Sequence, residues 1–111
     1  MREEIERLWD DVLRMRFING ECRDSPQKRR AIELMHQWAR ESEEGKRYFY
    51  WKRTEIRWRL AEIEWRERKY ISALLQIAKG FHLCEKAGDE DLWMKLLVTE
   101  RKIKEVLEVP A

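Results

Sequence analysis

The sequence predicts an all-α fold, on three observations. Glu, Arg, Lys, Leu and Ala dominate from end to end, and these residues lose little on entering a helix. Apolar residues recur at spacings of three and four, with none of the sustained alternation that a half-buried strand needs. Asn19-Gly20, Pro26, Gly45 and Gly88 fall at punctuation points between those runs. The 111 residues read as one helical domain, 1–111, of about five antiparallel helices in a compact bundle or a short solenoid-like stack. A chain of this size can bury about two-thirds of the surface its unfolded form exposes, so it folds without staples.

The first segment, about 2–18, repeats Ile5, Leu8, Trp9 and Val12 and stops at Asn19-Gly20, a pair that tolerates the positive φ of helix ends. The second, about 26–44, opens with the best start signal in the chain. Ser25 can cap orphan amides, and Pro26 suits the first helical position, where its missing N–H costs nothing. Ile32, Met35, Trp38 and Ala39 share its apolar face, and Gly45 is read as a break.

The third segment, about 46–68, has no Gly or Pro after it, so one long helix running on competes with a tight break near Arg68, and the break is the favoured reading. The fourth, about 70–86, carries Ala73, Leu74, Ile77, Ala78, Phe81 and Cys84 on one face. Gly88 ends it, and Asp89 caps the fifth, about 90–108, whose Leu92, Leu96, Ile103 and Leu107 keep helical spacing. Val109-Pro110-Ala111 should fray.

The third segment differs from the rest. At about 100° per residue, Phe49, Ile56, Leu60 and Ile63 form one stripe, and Trp51, Thr54, Trp58, Ala61 and Trp65 form another on the opposite side, with charges filling the wedges between. A helix with two opposed apolar stripes is either packed on both sides or presents a strip to a partner. The simpler expectation is a central helix. The alternative makes Trp51, Trp58 and Trp65, at heptad spacing, a surface for a protein partner or a second copy of the chain. A bare strip of three Trp would invite aggregation, so something must cover it.

Twenty-four basic residues against 22 acidic give a net charge of +2, without the strong field of a dedicated nucleic-acid binder. One local cluster stands out, Lys46-Arg47-Tyr48-Phe49-Tyr50-Trp51-Lys52-Arg53, where cations alternate with rings that could stack on bases. Arg47, Lys52 and Arg53 are its candidate nucleic-acid contacts. The structural alternative is that long basic stems cover apolar surface. No apolar run approaches the roughly 20 residues that span a bilayer, and the acidic, amphipathic start is unlike a signal peptide, so a soluble chain with no membrane partner is expected. Cys22 and Cys84, far apart and outside any CxxC, fit a reduced, cytoplasmic setting.

Candidate chemistry is sparse, and the chain is expected not to be an enzyme, with no cofactor and no metal site. Glu33 and His36 have the ExxH spacing of a di-iron helical bundle, but a second copy is missing. His82 and Cys84 diverge by about 200° on a helix, which argues against joint ligation, so Cys84 reads as a small buried hydrophobe and His82 as a boundary residue. No phosphate loop, nucleophile elbow or zinc-protease motif occurs.

Three resemblances follow from these residues. Arg30 and His36 are spaced as in helical ribonucleases of the HEPN type, and the likeness extends only to size, helicity and that pair. From Leu60 onward about a third of the chain is similar to a tetratricopeptide repeat. Leu60-Ala61, Ala73, Ile77 and Gly80 match its small or apolar positions, while Arg57 and Glu64 replace aromatics and Glu85 replaces the closing Pro. That likeness implies stacked antiparallel helix pairs and no binding residues. The charge-rich composition and helix-ended connections also resemble computationally designed helical proteins, which implies a scaffold without natural activity.

Overall fold

A computed structural model of the chain describes residues 1–15 and 21–108. Five helices follow one another: α1 (Arg2–Arg14), α2 (Pro26–Glu41), α3 (Glu43–Arg66), α4 (Tyr70–Ala87) and α5 (Glu90–Leu107). The fold is all-α, as the periodicity predicts. By contacts the chain divides into two units, Met1–Phe49 and Tyr50–Ala111, and the division falls inside α3. The expected stop at Asn19-Gly20 and the tail Val109-Pro110-Ala111 lie outside the described residues. Met15 is already extended after α1, so that helix ends ahead of the predicted Ile18.

In the first unit, Ile5, Trp9, Val12 and Leu13 of α1 and Ala31, Leu34 and Met35 of α2 are buried. The Trp9 indole donates to the Met35 thioether at 3.1 Å, which gives a buried polar handle a partner. The predicted face of α2 was rotated: Ile32 is exposed, and Ala31 and Leu34 lie inside in its place. Ser25 caps α2 as expected, its Oγ accepting from Lys28 N at 3.1 Å, with Pro26 in the first turn.

Gly45 is not a break. The chain turns at Ser42, whose Oγ accepts from Gly45 N at 2.9 Å, and Gly45 lies in the first turn of α3. A Cβ there would overlap the Trp38 backbone carbonyl, so glycine allows a close approach.

In the second unit, Ala61 of α3, Ala73, Ile77 and Cys84 of α4, and Leu92, Leu96 and Ile103 of α5 form one core. Helices α4 and α5 are antiparallel: Gly80 lies against Leu96, and Phe81 against Trp93 with ring centroids 4.7 Å apart. A Cβ at Gly80 would come within 2.8 Å of Leu96 Cδ2. The later turns of α3 run the same way as α5, with Trp58 beside Lys95 and Thr99, and Trp65 beside Lys102. Gly88, with φ of 65°, ends α4, and Asp89 Oδ1 accepts from Leu92 N at 2.9 Å to cap α5, both as predicted.

The junction of α3 and α4 settles the competition between a break and one long helix. Arg68 takes φ of 64°. Its N–H reaches the Trp65 carbonyl at 3.1 Å, and Lys69 N–H reaches the Glu64 carbonyl at 2.8 Å. This pair of bonds is a Schellman stop, which satisfies the last orphan carbonyls and usually employs glycine at the left-handed position. An L-residue there costs roughly 1 kcal/mol. Arg68→Gly should therefore raise unfolding stability by roughly 1 kcal/mol in urea titration. A loss of stability would mean that the Arg68 side chain contributes more than its backbone strain costs.

Candidate functional site

The two-striped helix α3 carries the residues from which a site would be built. Thr54 and Ala61 are fully buried, and Ile56 and Leu60 on the other flank are also buried. Trp51, Trp58 and Trp65 are half-buried and pack against the core of the second unit. Trp58 Nε1 donates to Thr99 Oγ1 at 3.0 Å, and Thr99 Oγ1 donates onward to Glu62 Oε1 at 2.6 Å. Lys95 Nζ lies 5.1 Å from the Trp58 ring centroid, and Lys102 Nζ lies 5.4 Å from that of Trp65, distances at which a cation is drawn to the ring face. The Trp65 indole N–H is buried without an acceptor among the described residues.

The wedges of charge are not all in water. Lys52 is fully buried and donates to Glu55 Oε1 at 2.6 Å. Glu64 is fully buried too. Its Oε1 accepts from Gln76 Nε2 at 2.9 Å, and Gln76 Oε1 accepts from Arg57 at 3.0 Å. The two positions where the repeat-like pattern wants aromatics, Arg57 and Glu64, are thus bridged by one glutamine of α4. Glu64 Oε2 has no partner among the described residues.

Of the candidate nucleic-acid contacts, Arg47 and Arg53 are exposed, and Lys52 offers no head group to a phosphate. The rings interleaved with them are engaged in the protein. Tyr48 is buried and donates to Glu6 Oε1 at 2.8 Å under the Arg2 guanidinium, and Phe49 packs on His36 at 4.8 Å. Glu33, His36 and Arg30 do share a place, a shallow depression of about 480 Å³ along α2 that Ile32, Gln37 and Arg40 complete. Arg30 is paired there with Glu33 at 3.4 Å. No cluster of three metal-ligating side chains occurs among the described residues.

A second depression, about 460 Å³, lies between α3 and α5. Trp58, Met94 and Val98 supply its apolar lining, and Glu62, Asp91, Lys95 and Lys102 supply charge of both signs. Met94 is 56% exposed and Val98 51%. Trp58 was legible in the sequence as part of its stripe, whereas these two neighbours were not singled out. Their signal was available, since both lie off the Leu92, Leu96 and Ile103 stripe of the fifth helix.

Cys84 is buried, and its thiol points to the Asp89 carbonyl at 3.5 Å. Burial first, then the nearby Asp89 charge, push the thiol above its ordinary pKa, against a smaller opposite pull from that carbonyl contact. A raised folded-state pKa favours folding at lower pH, and that contribution is lost as pH climbs through the raised value. Stability should therefore fall on the alkaline side, and Cys84→Ala should remove part of that fall; identical alkaline limbs for both proteins would contradict it.

Gln76 generates a sharper prediction. Gln76→Leu leaves a buried carboxylate without its donor and should cost about 3 kcal/mol in urea unfolding. The double variant Glu64→Leu with Gln76→Leu should recover to within about 1 kcal/mol of the parent, because the orphan is removed with its partner. Additive losses in the pair would refute this account of the bridge.

No family model, no curated protein and no solved structure matches this chain.

Proposed function

We propose that the chain is a non-enzymatic helical scaffold. One observation carries this reading: the most adhesive feature of the sequence, the strip Trp51, Trp58 and Trp65, packs against the chain's own core. A strip already covered from within needs no partner to shield it. The role fits either a natural chain or one assembled by design, which its composition resembles.

A second reading is favoured by the depression beside Trp58. Its exposed Met94 and Val98 could seat an apolar side chain of a protein partner, with Lys95 and Lys102 at the rim. This adaptor role would use the outer edge of Trp58 and not the whole strip. Nucleic-acid contact comes third, through Arg47 and Arg53 without Lys52.

Sedimentation equilibrium on the parent and on Trp58→Ala tests the first reading. The scaffold role predicts one monomer mass at all concentrations for both proteins, with the variant losing roughly 3 kcal/mol of stability as a core-contacting Trp should. A mass that rises with concentration in the parent and returns to monomer in the variant would replace the scaffold by an interaction module. Binding to single-stranded RNA that weakens steeply with salt would favour the third reading.

A further inference from the structure

The outer face of α4 carries an apolar stripe that the core does not use. Ile71 is 65% exposed and Leu75 59%, above any other exposed large hydrophobic side chain among the described residues. They sit one turn apart, and Ala78 and His82, both exposed, continue the same face. The opposite face of the helix is occupied by the core residues Ala73, Ile77, Gly80 and Cys84. Helix α4 is therefore apolar on both sides yet anchored on one, so its outer stripe can meet another phase without any unfolding.

The charge around that stripe is positive on balance. Between Arg66 and Lys86 the chain has five basic residues, Arg66, Arg68, Lys69, Lys79 and Lys86, against Glu67 and Glu85. That surplus of three sits in a chain whose total is +2, so the remainder is acidic by one. Lys79 and Lys86 are exposed on the same side as Leu75, and Lys86 also lies 5.4 Å from the Tyr50 ring.

These features discriminate among occupants. A second copy of the chain would bring two cationic faces together, and like charges repel. A stable protein interface buries roughly 800 Å² on each partner and leans on aromatic anchors. This stripe offers two large aliphatic side chains and the polar ring of His82, with no exposed Trp, Tyr or Phe on it. A fluid anionic surface demands no shape complementarity: aliphatic side chains enter the acyl boundary and cations meet headgroups, each adding to the binding. We infer that α4 docks this protein reversibly on anionic lipid bilayers, with Ile71 and Leu75 inserted and Lys79 and Lys86 against the headgroups.

Vesicle co-sedimentation tests the inference, using phosphatidylcholine vesicles with and without about 30% phosphatidylserine. The parent should partition at least about tenfold more strongly onto the anionic vesicles and lose most of that binding at 0.5 M salt, roughly as expected for a few lysines near a charged surface. Ile71→Ser with Leu75→Ser should reduce binding about tenfold, as should Lys79→Glu with Lys86→Glu. Leu97→Ser with Val106→Ser, exposed on α5, should bind as the parent does. All these positions are exposed, and unchanged helical circular dichroism and melting would confirm that the variants fold. Absence of binding to anionic vesicles, or equal binding to neutral ones, would overturn the proposal. Binding that survives the serine pair but not the lysine reversals would also overturn it, because the attraction would then be electrostatic alone, without insertion of Ile71 and Leu75.

Discussion

The structure depends on one constraint: α3 is apolar on two flanks that point apart, so burying either one leaves the other in water unless the chain supplies cover twice. The Trp flank receives it from the core of the second unit, centred on Ala61, Ile77, Leu96 and Ile103. On the other flank Ile56 and Leu60 are also withdrawn from solvent. Large aromatics contribute most because each removes so much surface from water. The half-burial of Trp51, Trp58 and Trp65 shows how the remaining edges are managed, with Lys95 and Lys102 laid over rings that the core does not enclose.

A helix covered on both sides leaves little room for its charges, and two of them are enclosed. Lys52 is held by Glu55, and Glu64 by the Gln76 bridge to Arg57. Burying a charge is costly unless it is paired and hydrogen-bonded, so these contacts offset a cost that the packing of α3 creates. The Gln76 bridge also defines which turn of α4 lies beside which turn of α3, since a shift of one residue would carry Gln76 away from Glu64. Glu64 keeps one oxygen without a partner among the described residues, so the compensation is incomplete, and this is where a substitution should be felt most.

How much of this was legible in the sequence varied with the range of the interaction. Ser25, Gly88 and Asp89 act on backbone groups within four residues, and each was readable because its whole effect is local. The break at Arg68 was placed correctly without a glycine to mark it. Gly45 was misread because its reason is the carbonyl of Trp38, which belongs to the preceding helix. Ile32 was exchanged for Leu34 because they stand at opposite edges of the broad apolar arc of α2, and only the partner helix decides which edge faces inward. The burial of Lys52 and Glu64 left no mark, since a charge in a wedge looks solvated until its neighbours are known. The candidate strip Trp51, Trp58 and Trp65 was identified with its geometry, whereas the exposed Met94, Val98, Ile71 and Leu75 resembled core residues by type and were distinguishable only by standing off their stripes.

The most direct measurement of the central constraint is solvent exchange of the indole N–H protons, read residue by residue from ¹⁵N-labelled protein by NMR. Trp58 donates to Thr99, and the Trp65 indole is buried, so both protons should exchange far more slowly than those of an unfolded control. If both exchanged as fast as in the unfolded chain, the Trp flank of α3 would be open to water and the twofold covering of this helix would be wrong.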